Sequence, residues 1–88
     1  MEFEWDEAKR QTTIIKHSLD FTIACQILDL PNVRTEKVVG GEVRFMSVGM
    51  YDGKCIAIIY TIRGPKIRLI TARKARENER RAYRELYD

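Results

Sequence analysis

Eighty-eight residues are enough for one domain, 1–88, and leave no room for a second. An apolar share of 44% predicts one modest core, and eight aromatics with only two prolines exclude a wholly disordered chain. The net charge of +3 is unevenly placed: residues 1–60 carry seven basic and nine acidic side chains, and residues 61–88 carry nine and four, so a near-neutral body ends in a basic third that predicts an anionic partner.

The chain opens on "EFEW", whose alternation predicts a short strand with Phe3 and Trp5 on one face. Trp5 has two roles open to it, stacking on a base or anchoring the packing of the next helix. Asp6 is an N-cap and Glu7 suits a first helical turn, so a helix is expected over 7–16 with Ala8, Thr12 and Ile15 inward. His17 ends it, where an imidazolium either caps the last carbonyls or serves in proton transfer. Asp20 caps a second helix, "FTIACQIL", with Phe21, Ala24, Cys25 and Leu28 at helical spacing, and Pro31 closes it. Cys25 and Cys55 each sit among apolar residues and read as buried free thiols of a reducing compartment.

A meander follows. "VRTEKVV", "EVRFMSVGMY", "KCIAIIYTI" and "IRLITARK" are strands separated by the turns "GG", "DG" and "RGPK". Asp52-Gly53 is a two-residue hairpin signal, because a type I′ turn needs positive φ at both positions. The strand around 55–62 is apolar at nearly every residue and should be central, covered on both faces. Glu42 and Arg44 share a strand face beside it.

On the last strand, period two puts Ile67, Leu69, Thr71 and Arg73 in one row and Lys66, Arg68, Ile70, Ala72 and Lys74 in the other. Arg63 and Lys66 then flank the turn, roughly 20 Å from Arg73, Lys74 and Arg76 at the strand's far end. Two basic patches so separated fit an extended polyanion better than a small metabolite, which makes nucleic acid the economical partner. The segment "ARENERRAYRELYD" predicts a C-terminal helix with Glu79, Ala82, Tyr83, Leu86 and Tyr87 as its inner stripe and a solvated or partner-binding face of Arg80, Arg81 and Arg84. The fold class is α+β: a short N-terminal strand, two helices packed on an antiparallel β-meander, and a C-terminal helix.

Several chemistries are excluded. One histidine and two isolated cysteines have no zinc-ligand spacing, no acidic cluster suits magnesium, and P-loop, GxGxxG and GxSxG patterns do not occur. Neither metal nor cofactor is expected. No signal peptide or membrane-length apolar run is present, so the chain reads as cytoplasmic with no membrane partner. Arginine grips phosphate and stabilises charge building on a phosphorane, but it stays protonated and cannot be the base. That role falls to His17, Glu42, Lys74 or Tyr83.

The stretches "FEWD", "KH", "DF", "RF", "VG", "YTIRG", "ITARKA" and "ER" occur in order over almost the whole chain and resemble the BrnT toxins of bacterial type II toxin–antitoxin operons. The resemblance implies a RelE-like fold and a metal-independent endoribonuclease that arrests growth. It also implies a BrnA-type ribbon-helix-helix antitoxin that neutralises the toxin and carries the complex onto operator DNA, with a dimer or heterotetramer as the assembly. By motif position it points to Arg63, Arg73, Lys74 and Arg44 for cleavage, with His17 and Glu42 for proton transfer. Arg44, Lys66, Arg68, Arg76 and Trp5 would hold RNA. The chain departs from the family pattern at Ser18, where glycine is common, and at Ile23, where an acidic residue often completes a capping box. The competing readings are a non-catalytic nucleic-acid-binding module and a degenerate toxin kept for partner binding.

Overall fold

The computed structural model describes residues 2–87, with strands β1 (Glu2–Trp5), β2 (Asn32–Val39), β3 (Glu42–Tyr51), β4 (Lys54–Arg63) and β5 (Lys66–Lys74) and helices α1 (Glu7–His17), α2 (Phe21–Leu28) and α3 (Glu77–Tyr87). The class and element order expected from the sequence are those found. The five strands form one sheet in the order β1-β5-β4-β3-β2, with β1 parallel to β5 and every other pairing antiparallel. As expected, β4 is the central strand and is buried on both faces, Ile56 and Ile58 on one side and Ala57 and Thr61 on the other. Asp52 and Gly53 both have positive φ, as the two-residue hairpin requires.

Helices α1 and α2 cover one face. Phe21, Ala24 and Ile27 of α2 pack on Ile56, Ile58, Tyr60, Leu69 and Ala72, with Phe3 and Trp5 at the margin. Helix α2 approaches β3 at Gly49, where a Cβ would stand 2.7 Å from Cγ2 of Ile27, so the close contact needs glycine there. Ser47 and Tyr60 share a buried hydroxyl–hydroxyl hydrogen bond of 2.8 Å beside it. On the opposite face, α3 seats Tyr83 against Met46, Val48, Cys55, Ala57 and Ala75. The free thiols of Cys25 and Cys55 are only half-buried, and apolar surroundings push both above the usual thiol range.

Three inward faces differ from expectation, that of α3 in leaving Leu86 and Tyr87 exposed. In α1 it is Thr13 that is buried and Ile14 half-buried, while Ile15 is 81% exposed and Ala8 and Thr12 face solvent. An ion pair sets that rotation. Arg10, one turn before Ile14, donates from Nε and NH2 to the two carboxylate oxygens of Asp20, each at 3.0 Å, which draws the Arg10–Thr13–Ile14 stripe inward. In α2 the stripe runs through Ile27 rather than Cys25, because Ile27 meets Gly49.

Asp20 still caps α2, accepting from the Thr22 amide, and the Arg10 guanidinium holds its carboxyl at about 2.

Ser18 ends α1 in the left-handed conformation, φ 56° and ψ 35°, with its amide donating to the Ile14 carbonyl. The turn usual for glycine is kept with a serine in it. Ser18→Gly is therefore expected to stabilise the chain by about 0.5–1 kcal/mol. Thermal unfolding should show a rise in Tm of several degrees, and a lower Tm would contradict the strain.

Candidate active site

The last hairpin decides how the basic residues are arranged. Residues Ile59 and Tyr60 of β4 pair with Thr71 and Leu69 of β5, so Ile70 is an extra residue, a β-bulge. Before the bulge Ile67 and Leu69 point to the α1–α2 face; after it Ala72 and Lys74 do, and Arg73 points the other way. The expected row of Ile67, Leu69, Thr71 and Arg73 is therefore broken. Arg73 and Lys74 lie on opposite faces, and Arg73 joins Arg63, Lys66 and Arg68 on the α3 side of the sheet.

That face is only half covered. Helix α3 lies over the end carrying Val48, Met50 and Cys55, and leaves open the end carrying Glu42, Arg44, Thr61, Arg63 and Arg68. A groove of about 460 Å³ borders that end, reaching Arg44 but not Glu42 or Arg63, and is walled by Lys37 of β2, Met46 of β3, Ile59 of β4, and Arg73 and Arg76. Arg63 and Lys66 stay at one end of this sheet face and Arg73 at the other, as the sequence predicts, while Lys74 faces away.

The arginines on it are held in two ways. Arg73 is locked: NH1 and NH2 donate to the two Glu79 oxygens at 2.8 and 3.0 Å, NH1 also reaches the Lys74 carbonyl, and Met46 Sδ lies 3.8 Å from NH2. The Arg76 amide donates to Glu79 Oε1 at 2.7 Å, so this buried carboxylate ties β5 to the first turn of α3. The Arg73 guanidinium beside it holds the Glu79 carboxyl below the usual carboxylate range. Arg68 is paired to Glu4 of β1 at 3.2 Å.

Arg44 and Arg63 are looser. Both lean on Glu42, Arg63 NH2 at 3.5 Å and Arg44 Nε at 3.9 Å, and neither hydrogen-bonds to the protein among the described residues. Their side chains are 40% and 54% exposed, although Arg44 Nε is itself buried and without a hydrogen-bond partner among the described residues. Thr61, buried beneath, anchors the strands by donating to the Val43 carbonyl at 2.8 Å. Lys66, exposed, pairs in register with Arg63 at the turn.

The remaining candidates lie elsewhere. His17 and Lys74 share a groove on the other face and at the other end of the sheet, with Lys16 and Lys54. Trp5 belongs to the core margin: its ring meets Phe21 edge-on at 5.9 Å and its Nε1 donates to Glu7. Tyr83 packs beneath α3. Sequence reading missed Lys37, which pairs in register with Arg44, and the role of Glu79, although its spacing from Arg76 is that of a helix-capping pair. Among the described residues no three His, Cys, Asp or Glu side chains converge as metal ligands, and no helix is long and apolar enough to cross a membrane.

Residues 5–79 match the family described as the ribonuclease toxin, BrnT, of type II toxin–antitoxin systems. The chain belongs to the BrnT family. No curated protein matches it. BrnT membership makes RNA the substrate class and a protein antitoxin the partner. The match ends at Glu79, so it includes the carboxylate that pins Arg73 and leaves most of α3 outside.

Proposed function

We propose that this BrnT chain is an endoribonuclease whose chemistry sits at Glu42, Arg44 and Arg63. The observation that carries the reading is the pair of unsaturated arginines converging on one carboxylate on the open sheet face. The Glu42 carboxylate takes the proton from an RNA 2′-hydroxyl, and the freed oxygen attacks the adjacent phosphorus. As the O2′–P bond forms and the P–O5′ bond breaks, Arg44 and Arg63 stabilise the charge on the non-bridging oxygens. Solvent, which reaches this open face, protonates the departing 5′-oxygen. The products are a 2′,3′-cyclic phosphate and a 5′-hydroxyl.

Lys37, Lys66 and Arg76 line the same face and serve as backbone contacts. Arg68 and Arg73, paired to Glu4 and Glu79, act as positioning residues that hold β1 and α3 to the sheet. The reaction needs no metal in this scheme, because a carboxylate and two guanidinium groups supply both proton transfer and charge stabilisation. Family membership supports the wider reading: cleavage arrests growth in the cytoplasm, and a BrnA-type ribbon-helix-helix antitoxin neutralises the toxin and brings the complex to operator DNA.

Purified protein incubated with RNA in excess EDTA tests this. Cleavage with cyclic-phosphate ends is expected. Intact RNA that is nevertheless bound in a salt-sensitive manner would favour the non-catalytic module instead.

A further inference from the structure

Positive charge in this protein is compensated unevenly. Among the described residues, seven arginines lie within ion-pairing reach of a carboxylate, but none of the lysines does. Three of those lysines, Lys16, Lys54 and Lys74, gather with His17 around one groove of about 590 Å³ that has no carboxylate in its wall. Its remaining basic residue, Arg73, is already paired to Glu79.

The fold builds this cluster from three separate elements. Lys16 and His17 come from the last turn of α1, directed by the left-handed Ser18. Lys54 opens β4, Lys74 closes β5, and the Ile56–Lys74 register sets the two strand ends side by side. Lysines so gathered repel one another in the free protein, and an anion relieves that repulsion. Lysine is a compact point charge without the fork that reads a planar carboxylate or a base edge, so such a cluster grips phosphates without regard to sequence. Among the described residues no Phe, Tyr or Trp lines the groove, so the His17 imidazole is the one ring there that could meet a base.

We infer that this groove is a second RNA-backbone site, an exosite distinct from the Glu42 face. The inference rests on RNA being the substrate. Arg73 borders both this groove and the one beside Arg44, so the two adjoin at the end of β5, and the nine steps from Lys54 to Arg63 along β4 put the far end of the Glu42 face roughly 30 Å away. An RNA strand long enough to pass over the end of the sheet touches both. The exosite therefore favours long, unstructured substrates and adds affinity without taking part in the chemistry.

The test is binding of a labelled 2′-O-methyl RNA of about 20 nucleotides, which lacks the attacking hydroxyl, across a salt series. Lys16→Gln/Lys54→Gln, both exposed positions, is expected to lower the slope of log affinity against log salt by about 1.4, two phosphate contacts at about 0.7 each. Affinity near 0.1 M salt should fall about tenfold. Arg81→Gln, exposed on α3 outside the groove, should leave the slope unchanged. An unaltered slope in the double variant, or an equal loss per charge in Arg81→Gln, overturns the exosite. So does weakened antitoxin binding with RNA binding intact, which would assign the groove to an acidic protein segment. The probe cannot be cleaved, so a wild-type protein that fails to cut RNA removes the nuclease reading while this measurement still decides the groove.

Discussion

Arg63→Ala is expected to lower kcat on RNA by about 10²–10³, the loss typical of removing one preorganised charge-stabilising donor. Glu42→Gln, which keeps the shape and loses the base, should cost about 10²–10⁴. The Arg63 side chain is about half exposed and that of Glu42 about a third, and neither holds a close hydrogen bond to the fold among the described residues, so Tm should stay within a few degrees of wild type. The two effects should add less than fully, because the base and the guanidinium act as a unit on one transition state, and the double variant should lie close to the worse single one. The measurement is single-turnover cleavage with the product ends analysed. Should His17→Ala abolish cleavage while Glu42→Gln retains it, the chemistry belongs at the other end of the sheet and the assignment falls.

Local signals in the sequence located the elements well. Asp6 and Asp20 marked two helix starts, Asp52-Gly53 marked a hairpin, and the unbroken apolar run marked the central strand. What was hidden is non-local. The bulge at Ile70 carries no glycine or proline to announce it, yet it reverses the facing of Arg73, putting it on one face with Arg63, Lys66 and Arg68 and turning Lys74 to the other. The rotation of α1 follows from Arg10 reaching Asp20 ten residues on, a pairing that helical spacing does not encode. The parallel pairing of β1 with β5 joins opposite ends of the chain through Phe3–Ile67 and Trp5–Leu69. The candidate residues were mostly named by type and motif; which of them meet was set by register.

Glu79→Ala is expected to be the most destabilising single change at the site, by about 2–3 kcal/mol. Breaking a fully buried pair costs about 3–5 kcal/mol, and the fifth of the Arg73 side chain left in solvent reduces that. At this chain length the loss corresponds to a fall in Tm of about 10 °C or more. The variant loses three hydrogen bonds at once, two from Arg73 and the amide bond from Arg76 that caps α3. Glu79→Gln should lose about half as much, since its amide oxygen still accepts from the Arg76 amide. Acid provides an independent check. A carboxyl whose folded pKa is depressed stabilises the fold fully above its unfolded value and loses that contribution as the pH falls through the folded one. The gap between wild type and Glu79→Ala should therefore be widest at neutral pH and close progressively below about pH 4. A double-mutant cycle with Arg73→Ala then separates support from chemistry. If Arg73 only positions α3, both single variants and the double variant unfold alike, and all three cleave RNA within a few-fold of wild type at temperatures where they are folded. If Arg73 touches the phosphate, Arg73→Ala loses cleavage while Glu79→Ala, its guanidinium released into the groove, keeps it.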